Sequence, residues 1–291
     1  MQKRARLNGK SPGGCGDGRL RAGAPAPVRV GDLARLATRI RLHAVHMVGI
    51  QGFGYLGQAL SAAEIFAALY GGGLMRPGWD RFCLSPAHYA VVHYAAAAEV
   101  GLLHPEALKS YGRDGTELEA ISTERTPLLD LTCGSLAQVI SGAIGFALAS
   151  RYAKDDRRVF ALLSDGEMEE GQTWEAAMFA AHHALDRLAV VIDANNSQVD
   201  GQVNSVTTLE PLADKWRAFG WRALEVDGHD ADALVASMQS TASERKPLVV
   251  IGRTQILGGL KSVPATADGH FLKLDPALKA AVIAELEARL A

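Results

Sequence analysis

The sequence predicts an α/β domain built on a mostly parallel sheet with helices on both faces. Three observations lead there. Arg158 to Leu163 (RVFALL) and Leu188 to Ala194 (LAVVIDA) are short apolar runs of the kind that form buried strands. Between them, Thr173 to Asp186 has the spacing and Ala content of a helix, so the two strands are joined by a crossover and run parallel. Strands and helices then go on alternating toward the C-terminus.

The elements follow in order. Asp32 can cap a helix running to about Val48, with Leu33, Leu36, Ile40 and Val45 on its apolar side. A glycine-rich loop, Gly49 to Gly57, leads to a second helix. Ser61 is expected to cap it, because Ser61 and Glu64 have the capping-box spacing. Asp80 to Ser85 reads as a strand that enters a helix after His88. Gly134 to Tyr152 is expected to be a Gly/Ala-rich central helix. After the crossover unit come a helix near Pro211 to Phe219, a strand at Arg222 to Val226 and a helix at Asp230 to Ser243. A strand at Leu248 to Arg253 and a last helix from about Asp275 to Leu290 complete the reading.

Bulk properties narrow the function. A chain of 291 residues can form one large domain with an ample core. It is 48% hydrophobic and 21% charged, with formal net charge −2. No basic balance points to nucleic acid. No apolar stretch suits a bilayer; Ala90 to Leu103 is broken by His93 and Glu99. Cys15, Cys83 and Cys133 are unpatterned, which fits a reducing cytoplasm without a disulfide framework. Residues 1–30 are basic (Lys3, Arg4, Arg6, Lys10, Arg19, Arg21, Arg29) and rich in Gly and Pro, with one acid, Asp17. They read as a flexible lead-in, not a secretory signal, and leave 31–291 as the domain. A basic arm touching a partner or phosphate is the alternative.

Both strands of the crossover end in polar turns, Asp165-Gly166 and Asn195-Asn196. Parallel strands bring these turns to one edge of the sheet, where open α/β sheets bind ligands. A carboxylate and an amide oxygen meeting there suit a hard divalent cation that keeps affinity for phosphate oxygens.

The pair of turns resembles the diphosphate-and-metal signature of thiamine diphosphate enzymes, GDG followed one βαβ step later by N or NN. Ser164 stands where that signature has its first glycine. The wider resemblance is to the transketolase family. It is carried by EMEEGQTWEAAMFAAHHALDRLAVVID, LSAAEIFAALY (Leu60 to Tyr70), TCGSLAQ (Thr132 to Gln138), VDGHD (Val226 to Asp230) and GGLKS…DGH (Gly258 to His270). It covers roughly Asp32 to Leu290 and implies the diphosphate-binding domain fold. By this resemblance, Asp165 and the side-chain oxygen of Asn195 would be ligands of Mg2+ or Ca2+, with the backbone carbonyl of Ser197 completing the set. The Gly166 amide, with Glu167 beside it, would lie against the cofactor.

Gly134-Ser135-Leu136 matches the family's GSL or GPL turn against the cofactor; Ala137 replaces the glycine that follows. His88 in LSPAHY matches the diphosphate-contacting histidine of LSKGH, with Pro86-Ala87 in place of Lys-Gly. Glu170 matches a glutamate of a network joining two active sites across a dimer; the plainer reading is a surface acid flanking a helix start. His270 matches a histidine facing the substrate. His182, His183 and His229 are assigned no chemistry.

Two family histidines have other residues in their places, Tyr55 and Ile121. In transketolases those side chains handle the hydroxyls and protons of the donor ketose. Tyrosine can hydrogen-bond but is a poor base near neutral pH, and isoleucine can do neither. The resemblance therefore implies intact cofactor machinery beside an altered donor pocket.

Full-length transketolases also carry a pyrimidine-binding domain, which supplies the activating glutamate, and a C-terminal domain. This sequence ends soon after the first domain. The expectation is the N-terminal subunit of a split enzyme, α2β2 with a pyrimidine-domain partner. It would transfer a two-carbon ketol unit from a ketose-type donor to an aldehyde. The α subunit of a 2-oxo acid dehydrogenase and a non-catalytic subunit keeping the fold are the alternatives. WEAAMFAAHHALDRL and VDGHD favour transketolase over the first, and the retained Asp165, Asn195 and Glu170 speak against the second.

Overall fold

The computed structural model describes residues 25–239, 245–264 and 266–291. Its strands are β1 (Phe53–Gly54), β2 (Arg81–Pro86), β3 (Leu131–Cys133), β4 (Val159–Ser164), β5 (Leu188–Ala194), β6 (Arg222–Asp227), β7 (Leu248–Arg253) and β8 (Leu272–Lys273). The helices are α1 (Leu33–Gln51), α2 (Leu56–Ser61), α3 (Ala63–Gly71), α4 (Ala90–Glu99), α5 (Gln138–Ala153), α6 (Gly171–His182), α7 (Val203–Val206), α8 (Leu212–Ala218), α9 (Ala231–Gln239) and α10 (Pro276–Leu290). Six strands form one parallel sheet in the order β3-β2-β4-β5-β7-β6, and β1 pairs with β8 antiparallel.

The sheet is buried on both faces, which is why its strands read as continuous apolar runs. Successive side chains alternate between two cores. Phe82, Leu84, Phe160, Leu162, Val191 and Val250 face the layer of α1, α3, α4, α9 and α10. Ala161, Leu163, Val190, Ile192, Val249 and Ile251 face α5, α6 and α8. Asp32 caps α1 as the sequence suggests, and the structure adds a cap at Asp275. Asp32 accepts a hydrogen bond from the Arg35 amide at 2.8 Å, and Asp275 accepts from the amides of Ala277 and Leu278, with Pro276 opening the helix.

Chain order changes direction inside the sheet. From β2 the chain crosses to β3 on one side, then to β4 on the other. Such a reversal opens a crevice outside the carboxyl ends of the strands. The four strands around it end in the sequence-predicted turns: His88 follows β2, Gly134 follows β3, Asp165 follows β4 and Asn195 follows β5.

Several local expectations are corrected. Ser61 caps nothing: it is the last residue of α2, and its hydroxyl donates to Asp193 Oδ2 at 2.7 Å. Glu64 makes no capping box, because it is paired with buried Arg41 through two contacts of 2.6 Å and with His229 at 3.1 Å. Burial of these polar groups outweighed local capping. The loop expected at 49–57 is mostly helical. Here α1 continues through Gln51 and stops at Gly52, whose φ of 78° forms a left-handed C-cap on Val48. The central helix starts at Gln138, since Leu131–Cys133 is a third strand too short to show a period.

The helix expected over 230–243 is described as Ala231–Gln239; residues 240–244 lie outside the described part. So does the lead-in up to residue 24. Its end pairs with the domain: Val30 N donates to Gly71 O and Gly73 N to Val28 O, each at 2.8 Å. Among the described residues no helix is long and apolar enough to cross a membrane.

Candidate active site

The crevice encloses a cavity of about 410 Å³. Tyr55, His88, Gly134, Leu136, Gly166, Glu170, Ser197 and His270, all picked out in the sequence, line it together with Ile121. Asp165 and Asn195 are nearly sealed from solvent and are not themselves lining residues; Asp165 sits in the chain between Ser164 and Gly166 of the lining, and Asn195 two positions before Ser197.

Both are held by hydrogen bonds between strand ends. Asp165 accepts from the amides of Gly166 (2.9 Å) and Asn196 (2.6 Å). Among the described residues it has no cationic partner. Burial, then the nearby Asp193 charge, push its carboxyl up to about 7. Asn195 is oriented from behind. Its Nδ2 donates to Asp193 Oδ2 (2.9 Å) and to the Tyr89 hydroxyl (3.1 Å), while Oδ1 accepts from the Ser197 amide at 2.9 Å. Asp193 is fully buried and also accepts from Ser61, Tyr89 and Thr254. Burial pushes its pKa up, against those donors.

No group of three or more His, Cys, Asp or Glu side chains is placed to hold a metal among the described residues. The donors present are mixed: the Asp165 carboxylate, the Asn195 amide oxygen and the backbone at Ser197. That set fits a hard cation that completes its shell with waters and phosphate oxygens. A buried carboxylate without a counter-charge is the feature a cation would satisfy. Room for a phosphate is also present. A Cβ at Gly134 would meet nothing within 4 Å, and one at Gly166 would meet Gln198 at an ordinary 3.5 Å. Packing demands glycine at neither position, and a side chain at either would occupy the cavity.

Glu167 sits elsewhere than on the cavity wall. It is fully buried, and its Oε1 accepts from the Ser85 hydroxyl and the Ala137 amide (2.8 Å). Its Oε2 accepts from the Ser164 amide at 2.8 Å. The carboxylate thus ties the ends of β2 and β4 to the start of α5. Burial pushes its pKa up against these donors. Ser135 is exposed and outside the lining. Ala137, where the family has glycine, is held at φ 62°. A side chain there is strained by about 1–2 kcal/mol, offset in glycine by about 0.5–1 kcal/mol of chain entropy. Ala137→Gly should therefore raise stability by about 0.5–1 kcal/mol in denaturant unfolding; an unchanged or lower midpoint would speak against the strain.

The upper wall is aromatic. The Tyr55 ring lies 5.1 Å from His88, 5.8 Å from His270 and 5.2 Å from Phe271. His88 and His270 are 5.1 Å apart. Burial, with the neighbouring His270, pushes His88 down to about 3, and burial also lowers His270. Both rings are therefore neutral near pH 7, each with one N–H to donate and one lone pair. Ile121 is set beside His88 by Ser122, whose amide and hydroxyl both donate to Ala87 O. Glu170 is exposed at the start of α6.

Among the residues that the sequence reading did not place in the site are Gln58, Ser61, Tyr89 and Asp193. Asp193 carried a signal, a carboxylate inside an apolar strand. The other three had none, since their partners lie far away in the chain.

A crevice at the switch point of a parallel sheet, with a buried carboxylate and a buried amide at the strand ends beside it, defines a cofactor-binding α/β domain. The chain belongs to the transketolase family, whose thiamine diphosphate binding domain matches residues 33–290. It is 38% identical over 266 residues to the 6-deoxy-6-sulfo-D-fructose transketolase subunit SqwG of a Clostridium species, covering 88% of this chain and 96% of that one. An apulose-4-phosphate transketolase subunit of Actinobacillus succinogenes is 31% identical over 225 residues, covering 75% of this chain and 82% of that one. A crystal structure of a transketolase variant from Pichia stipitis superposes with a TM-score of 0.78 at 26% identity. That match covers 90% of this chain but only 41% of the Pichia chain.

Proposed function

We propose that this chain is the diphosphate-binding subunit of a two-subunit transketolase-like enzyme. The enzyme transfers a two-carbon ketol unit from a ketose-type donor to an aldehyde. The observation that carries this reading is that Asp165 and Asn195, each held by hydrogen bonds at a strand end, adjoin lining residues of a cavity walled by His88, Gly134 and Gly166. The division into two chains is supported by relatives named as subunits, which this chain matches over most of their length.

Asp165, Asn195 Oδ1 and the Ser197 carbonyl would hold Mg2+ or Ca2+. The Gly166 amide and the His88 ring would meet the diphosphate, with Gly134 and Leu136 against the cofactor body. Bound thiamine diphosphate supplies a carbanion sink for cleavage of the bond beside a ketone. His270, neutral and at the upper wall, can donate or accept one proton at a substrate oxygen. Tyr55 and Ile121 shape the donor side, and Glu170 stands at the cavity edge. A partner chain would bring the pyrimidine-binding domain, in an α2β2 assembly in the cytoplasm.

Reconstitution tests this. The purified chain alone should show no transketolase turnover, and mixing it with the pyrimidine-domain partner should restore it. Robust turnover by the single chain would overturn the two-subunit reading.

A further inference from the structure

Gln58 lies on α2, is 1% exposed, and lines the cavity beside Tyr55 and His270. Backbone packing holds it there. A Cβ on the preceding Gly57 would lie 1.8 Å from the Gly269 carbonyl oxygen, so α2 rests directly on the turn that carries His270. Gln58 Nε2 meets His270 Nδ1 at 2.8 Å. Its Oε1 is buried without a partner. Buried carbonyl oxygens are rarely left so. Among the described residues, Gln58 is the one residue of the cavity wall that carries an orphaned buried side-chain atom.

We propose that Gln58 is a specificity-determining residue that reads a hydroxyl group of the donor substrate, with His270 as its partner. The inference rests on the transketolase-type reading of the cavity. The amide chemistry selects the ligand. Oε1 only accepts, so the group facing it must donate, which a carboxylate or phosphate oxygen does not do. If the amide is turned over, Oε1 takes the His270 Nδ1–H and the NH₂ faces the cavity. A hydroxyl, donor and acceptor at once, satisfies that arrangement too. Among the described residues the wall offers no Lys or Arg to an anionic donor terminus; its charged members are Glu169, Glu170 and Asp200. The group that reaches Gln58 is therefore a chain hydroxyl of a polyhydroxy ketose rather than an anionic terminus.

The test uses the chain reconstituted with its pyrimidine-domain partner. It compares a ketose donor with hydroxypyruvate, which delivers the same two-carbon unit without the hydroxylated chain. Gln58→Leu removes both polar atoms at similar size. The variant's kcat/KM should fall about 10- to 100-fold more for the ketose than for hydroxypyruvate. Thiamine diphosphate affinity by calorimetry should stay within about threefold, because the diphosphate anchor is elsewhere. If that variant does not fold, Gln58→Met, unbranched like the parent side chain, carries the same comparison. Equal losses on both donors would overturn the proposal, since Gln58 would then merely position His270; so would no loss at all. A parent complex that turns over neither donor would sink the functional reading and this inference together. A parent active on both, with an unselective variant, would sink this inference alone.

Discussion

Asp165→Asn should still fold, with the amide left without an acceptor costing up to about 1–3 kcal/mol, and lose about 100-fold or more in metal-dependent affinity for thiamine diphosphate. Asp165 is a buried carboxylate whose partners are two backbone amides and whose nearest charge is another carboxylate, Asp193. Without a cation its charge is uncompensated, so removing it costs the fold little. Asparagine keeps an oxygen for one of the two amides. The cation, by contrast, loses the only anionic ligand proposed for it in this chain. In the parent, cofactor and metal at a hundredfold excess over Kd should raise stability by about 2.7 kcal/mol. That gain should be absent in the variant and should vanish from the parent on adding a chelator. A melting temperature that rises equally in both proteins would remove Asp165 from the metal site.

Glu167→Ala should destabilise the chain by about 3–5 kcal/mol, the range for stripping one side from a buried, fully satisfied polar cluster. The loss leaves the amides of Ala137 and Ser164 without acceptors inside the protein, and a cavity where the side chain stood. The Ser85 and Ser164 hydroxyls can turn to other partners, so the two amides carry most of the cost. The effect should appear without cofactor, as a melting temperature lower by about 10 °C. Glu167→Gln, which keeps one acceptor oxygen, should lose less. A drop below about 1 kcal/mol in the alanine variant would show that water replaces the carboxylate.

Asp165 and Glu167 show how far the sequence could be read. Two residues apart in one acidic turn, both were expected at the cofactor. Asp165 is held at the strand end between the lining residues Ser164 and Gly166; Glu167 turns inward and joins strand ends to a helix start. The direction of a side chain in a one-turn segment depends on what packs against it, and the partners of Glu167 come from Ser85 and Ala137 on other elements. The Ser61–Glu64 spacing misled for a related reason. A capping box is a local preference of about 1 kcal/mol, and the buried demands of Asp193 and Arg41 outweighed it.

The sequence by itself determined the five longer strands, most of the helices and the parallel crossover, because apolar periodicity and connection geometry are local physics; the short strands β1, β3 and β8 left no period to read. From these it also follows that Asp165, Asn195 and His88 come after strands at one edge of the sheet; that Gly134 does so too was decided by β3. Only the tertiary structure decided which end of the Asn195 amide meets Asp193, what the Glu167 carboxylate serves, and that Ala137 stands at φ 62°. It alone set Gln58 against His270, 212 positions away. Such contacts depend on how distant elements pack, and neither residue's neighbours in the chain encode the meeting.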